Sequence, residues 1–321
     1  MFLWYTLIVF CKKEDRELSK ALIAIDKSKS FRVYTAITTD MVQEAASIHD
    51  TMPVTSAGLG RVLTAAGLMG IMMKNPQDKL TLNFKGDGPA QQILATAYGN
   101  GDVKGYVANP DVELPLTEGG KLDVGGSLGI GELTVIRDIG LKEPYMGTIA
   151  FVTGEIADDL TAYFYISEQQ NTSVALGVRV EPDYSIGAAG GMIIQMLPDA
   201  EEGAIDALEE MIAKMEPLTT YIHRLAEENT ALSEEGLVRK LLEEVFADIP
   251  AEYAPEVLDT RDIRWHCDCS RERIEQVLMA IGRDDLQQII EEDGHAELQC
   301  HFCLSKYEFN KEELQEILNK I

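Results

Sequence analysis

The chain has 321 residues, 45% of them hydrophobic and 26% charged. Those proportions exclude a collagenous, wholly disordered or multi-span membrane protein, and the length suggests about two domains. Lys and Arg total 28 against 54 Asp and Glu, a net charge of −26. Such a chain repels phosphate backbones and anionic lipid, so nucleic acid and stable membrane association are not expected. The charge favours solubility, even for a protein that carries an apolar surface.

Residues 1–10, MFLWYTLIVF, are almost all apolar. The run is shorter than the ~20 residues that cross a bilayer. It also lacks the basic n-region and small-residue cleavage site of a signal peptide. An upstream start codon, a peripheral anchor and an extra strand remain open readings; the first is preferred. Residues 1–24, with Cys11, are therefore set outside the functional argument.

From residue 25 the pattern is that of a mixed α+β domain. FRVYTAITTD (31–40) alternates and reads as a strand. Asp40 can cap a following helix. Residues 55–73 suggest a buried helix, 80–88 a strand, 89–97 a helix, and 103–110 a strand stopped by Asn109-Pro110. The glycine-rich segment 119–131 matches neither phosphate-cradling motif, so its glycines are assigned to turns and close strand packing. Strands follow at 132–140, 146–155, 173–182 and 190–198, with a helix at 157–170. Residues 25–198 thus form a strand-rich core domain with a few helices.

Composition shifts after Pro198. Residues 199–261 hold 17 acidic and 5 basic residues. Apolar residues recur at helical spacing, and Pro217, Gly236, Pro250 and Pro255 divide the run. Short amphipathic helices need a partner surface. They either form a layer packed on the sheet or a detachable linker whose apolar faces can be released. Leu237, Val238, Leu241, Leu242, Val245 and Phe246 share one such helix and are the candidate client-binding residues.

Residues 262–321 read as a separate small unit. Ser270 and Asp284 can cap helices, HAELQCHFCLSKYEF reads as a hairpin, and Asn310 with Glu313 resembles a capping box. Trp265, Phe302, Tyr307 and Phe309 supply most of its expected core, which is too little without a staple. Cys267-Asp-Cys269 and Cys300-His-Phe-Cys303 offer one. Two tight turns that each present two sulfurs complete a tetrahedral S4 site, which suits one Zn²⁺ and leaves no position for a hydrolytic water. His266, His295 and His301 are assigned to the surface or to supporting contacts. Zinc keeps thiols deprotonated, and oxidation to disulfide removes the ligands, so such a staple is also a redox switch. A C-x-x-C pair closes a disulfide more readily than C-x-C, so Cys300 and Cys303 are expected to oxidise before Cys267 and Cys269.

CDCSRERIEQVL with EEDGHAELQCHFCLSKYEF resembles the C-terminal signature of the 33-kilodalton redox-regulated heat-shock chaperonin family. NFKGDGP, GYVANP, GKLDVGG, GLKEPYMG, GEIADDLTAYF and SEQQ…VALGV are similar to its N-terminal domain. The match covers roughly residues 26–321, and all four family cysteine positions are present. The resemblance implies a cytoplasmic, ATP-independent holdase, compact and inactive when reduced and zinc-bound. It further implies that oxidation forms two disulfides between near neighbours, releases zinc, unfolds the zinc domain and loosens the linker. The oxidised form then holds unfolding clients, often as a homodimer. The alternative is an enzyme, a thiol–disulfide oxidoreductase using Cys300 and Cys303. No Ser/His/Asp set, carboxylate pair or P-loop stands out, so no catalytic turnover is expected.

Overall fold

SKALIAID carries a short continuous apolar run, FRVYTAI is rich in β-branched and aromatic residues, and a short polar stretch joins them. In the computed structural model, which describes residues 18–321, they form an antiparallel pair, β1 (Ser19–Asp26) and β2 (Phe31–Ile37). The Asp26 carboxylate closes the turn by accepting from the Phe31 amide at 2.7 Å and the Ser28 amide at 3.0 Å. Among the described residues the first strand thus starts at Ser19, upstream of residue 25. Residues 19–24 belong to β1, which pairs with a strand on each side. The apolar run at 1–10 and Cys11 lie outside the described residues.

Helices α1 (Thr39–His49) and α2 (Pro53–Ile71) follow. Pro53 stands in the first turn of α2, where its missing amide costs no hydrogen bond. This helix is long and apolar enough to cross a membrane, but 94% of its apolar window is buried inside the protein. Its small residues let it lie close to its neighbours. A Cβ on Gly60 would stand 2.5 Å from Val42 Cγ1 and 2.8 Å from Val178 Cγ2.

The chain continues through β3 (Lys79–Gly86), β4 (Gln92–Tyr98), β5 (Asp102–Val107), the single turn α3 (Val124–Leu128), β6 (Gly131–Asp138) and β7 (Tyr145–Ala150). Segment 89–97, expected as a helix, is mostly β4. Its Gln, Leu and Ala favour a helix locally, but pairing with β3 and β5 on both sides overrides that preference. Helix α4 (Ala157–Ser167) precedes β8 (Thr172–Val180) and β9 (Ile186–Met196).

A fully buried carboxylate organises the entry to α4. Asp159 accepts from the amides of Val152, Thr153, Gly154 and Ile156 at 2.7–3.3 Å. Asp159→Ala would strand these donors, at about 1–3 kcal/mol for each one left buried and unpaired. A clearly lowered thermal transition is expected, with Asp158→Ala on the exposed side as the mild control.

Residues 199–261 do not form one helical segment. They hold α5 (Glu202–Lys214), α6 (Leu218–Glu228) and α7 (Glu234–Val245), then enter β10 (Pro255–Trp265). The last strand is the correction. It inserts between β5 and β1, giving a ten-stranded sheet of order β7-β6-β3-β4-β5-β10-β1-β2-β9-β8. Only the β10–β5 pairing is parallel.

The two sheet faces carry separate cores. On β9, Ala189 and Ile193 face the core containing α1, α2 and α4, while Ala188, Met192 and Ile194 face α5–α7. Alternation along one strand thus serves two helical layers. The small C-terminal unit follows as α8 (Arg271–Ala280), α9 (Arg283–Glu292), the hairpin β11 (His295–Gln299) and β12 (Lys306–Asn310), and α10 (Lys311–Lys320). Ser270 caps α8, and Asn310 with Glu313 forms the capping box of α10. Gly282, rather than Asp284, occupies the cap position of α9.

Candidate metal and thiol site

β10 delivers Cys267 and Cys269 just beyond its last residue. Cys300 follows β11, and Cys303 precedes β12. The turn between them is closed by Leu304 in the left-handed region (φ 57°), with its amide donating to the Cys300 carbonyl at 2.8 Å. Both cysteine turns meet at one point, where the four sulfurs all lie within 4.8 Å of one another. Cys267 Sγ is 3.7 Å from Cys300 Sγ, and Cys269 Sγ is 3.2 Å from Cys303 Sγ.

Four sulfurs bound to one Zn²⁺ at ~2.3 Å would stand about 3.8 Å apart along each tetrahedral edge. The 3.7 Å separation matches that edge and the 3.2 Å one is shorter, so the cluster is near the size a zinc ion needs, and an all-thiol donor set suits zinc. His266, His295 and His301 are exposed and outside the cluster.

The sulfur environments differ. Burial raises the Cys267 thiol well above its usual range. Burial also raises Cys269, opposed by the Tyr307 hydroxyl, which donates to its sulfur at 3.1 Å. Burial acts to raise Cys303 too, but hydrogen bonds with the Ser305 hydroxyl and amide outweigh it and bring that thiol down to about 7. Asp268, between the first two cysteines, is held far below the ordinary carboxylate range. Burial opposes this, and Lys104 and Arg273 overcome it.

The small unit buries Leu278, Leu286, Ile290, Phe309, Leu314, Ile317 and Leu318. Of the four aromatics expected in its core, only Phe309 is fully buried there, with Tyr307 at its margin. Trp265 packs on the main core, and Phe302 turns toward β5, because the cysteine turns face the sheet rather than the small unit's own centre. The six α7 and post-α7 candidates also face inward. Val238, Leu241, Leu242, Val245 and Phe246 are buried against the sheet, and Leu237 is partly buried beside them. Phe246 stacks on Phe31 of β2, with centroids 6.1 Å apart.

His49, Lys104 and Tyr106, which contact the cysteine turns, escaped the sequence reading. The one local sign was a lysine among the apolar and aromatic residues of VKGYVANP.

The family model described as Hsp33 protein matches residues 19–310. This chain belongs to the Hsp33 family. Similar relatives include the 33 kDa chaperonin of Alkaliphilus oremlandii, 47% identical across 91% of this chain and 95% of that protein. The 33 kDa chaperonin of Bacillus velezensis is 43% identical across 92% and 96%. Among solved structures, the Hsp33 homologue of Thermotoga maritima is 30% identical with a TM-score of 0.80, covering 95% of this chain and 99% of its own. The Hsp33 match begins at β1, in agreement with the strand's start at Ser19. These relatives are named chaperonins, and the family is one of stress-response chaperones.

Proposed function

We propose that this protein is a redox-regulated, ATP-independent holdase that binds unfolding proteins under oxidative stress. The observation that carries the reading is the convergence of four thiols in a unit with few buried apolar residues. Cys267, Cys269, Cys300 and Cys303 would hold one Zn²⁺ in the reduced state, and the metal would supply folding energy to the unit. Each disulfide formed from a zinc-bound thiolate pair gives up two electrons, which hydrogen peroxide takes up together with two protons from solvent to leave as two molecules of water.

The pairing matters. A disulfide within one turn, Cys300–Cys303 or Cys267–Cys269, leaves the two turns free to part. A disulfide across the turns would replace the metal as a staple. The family resemblance implies the within-turn pairs, with Cys300–Cys303 first because C-x-C geometry is strained. Loss of the small unit then loosens α5–α7 and frees apolar surface for clients. The oxidised form acts as a homodimer, and the protein works in the cytoplasm with no nucleic-acid partner and no stable membrane association. The oxidoreductase reading is less favoured, since Cys300 and Cys303 sit in a hairpin turn, without the helix start that activates such a thiol.

The test is light scattering of a chemically unfolded client diluted into reduced, zinc-loaded protein or into peroxide-treated protein. Zinc is followed with a colorimetric chelator, and disulfides are mapped by mass. Suppressed aggregation only after oxidation, with zinc release, is the expected result. Equal behaviour in both samples, with zinc retained, would refute the switch.

A further inference from the structure

Each cysteine turn carries a residue that reaches out of the small unit to the core domain. Asp268 lies between Cys267 and Cys269. It accepts from Lys104 Nζ of β5 and from the Tyr98 hydroxyl of β4 at 3.4 Å. Phe302 lies between Cys300 and Cys303. Its ring meets Tyr106 edge-on with centroids 5.5 Å apart, and Lys104 Nζ stands 4.9 Å over its face. Its backbone carbonyl accepts from His49 Nε2 at 2.9 Å, and the Gly105 carbonyl shares that donor at 3.1 Å. Two carbonyl acceptors require that Nε2 carry the proton.

These contacts are built rather than incidental. The Lys104 side chain is only 9% exposed, and its ammonium would be left poorly paired if Asp268 moved away. His49 is buried at the end of α1, with its ring against Trp265 at 6.1 Å. Lys104, Tyr106 and His49 thus grip both turns from one side, on rigid elements that neither cysteine pair belongs to.

We infer that His49, Lys104 and Tyr106 are positioning residues for the metal site: the core domain holds the two cysteine turns at the separation four thiolates need, so docking tightens metal binding. The inference rests on the reading that these thiols bind zinc. Linkage makes the effect reciprocal, so metal binding strengthens docking by the same factor. The grip lies on residues one position from the ligands, so a turn that rearranges on oxidation also breaks its hold on β5.

The test uses the full-length reduced chain loaded with zinc. Zinc affinity is measured by chelator competition, and release is timed with the same chelator. Lys104→Met and Tyr106→Ala are each expected to weaken zinc binding and hasten its release by about tenfold, in the range seen when supporting contacts of metal ligands are removed. His49→Gln, which retains an N–H donor, should fall nearer wild type than His49→Ala. In a cycle with Asp268→Asn, the Lys104→Met effect should be reduced, because the two share one ion pair, and the remainder reports the Lys104 contact with Phe302. Far-UV circular dichroism and the core thermal transition confirm that each variant is folded. Folded variants with wild-type affinity and release would overturn the inference while leaving the metal reading standing. A wild-type chain that takes up no zinc would overturn both.

Discussion

Removing the metal from the reduced protein with a chelator is expected to unfold the unit from about residue 266 to the C-terminus while the ten-stranded sheet stays folded. Its seven buried apolar side chains make a small core, and units of this size ordinarily need a staple. Structural zinc contributes about 10–16 kcal/mol in small domains, more than the whole net stability of most of them. Without it, no covalent bond joins the two cysteine turns directly to each other, and burial favours the neutral thiol at Cys267. Hydrogen exchange is the direct measurement. Amides of β11, β12 and α10 should lose protection after chelation, whereas those of β1, β2 and β9 should keep it. Persistent protection of the hairpin would show that the small apolar core suffices. Adding zinc back should restore the protection, which separates metal loss from irreversible damage.

Leu241→Ala is expected to produce client binding without oxidation. Leu241 is fully buried between α7 and the sheet, and Leu→Ala at such sites costs about 2–5 kcal/mol. That loss falls on a layer of short helices whose stability comes from this apolar face rather than from helix propensity. The variant, reduced and zinc-loaded, should suppress aggregation of an unfolded client at least in part. Glu243→Ala on the exposed side of α7 should change stability by no more than about 0.5 kcal/mol and leave the reduced protein inert. If Leu241→Ala is destabilised but still inert when reduced, the client surface lies elsewhere than under α7.

The cluster of four thiols was legible in the sequence because its information is local. Two pairs of cysteines at turn spacing declare a common ligand whatever the remaining chain does. Helices α5–α7 were legible for a similar reason, since a 3.6-residue apolar period shows within a dozen residues. Whether those helices are a packed layer depended on what faces them, and Leu22, Phe31 and Met192 lie far away in the chain. Strand β4 is not legible locally because its residues suit a helix, and only its neighbours make it a strand. Strand β10 reads as linker in the sequence because its exposed charges conceal a central position in the sheet. The grip on the cysteine turns was beyond reach, since His49, Lys104 and Phe302 are brought together only by the finished fold.

The placement of β10 makes α5–α7 a loop fastened at both ends. The chain leaves the sheet at Met196, opposite Phe31, and returns at Pro255, opposite Asp26. Both anchors stand beside the β1–β2 turn, three strands apart, or about 14 Å at ~4.8 Å per strand. If the helices lift away while both strands hold, the freed segment cannot drift off as a tail. It stays as a tethered arc over the surface it uncovered, with its own apolar faces at high local concentration there. A client must compete with that arc. On the holdase reading, the tethered arc is placed to compete with a client for that surface when the thiols are reduced again.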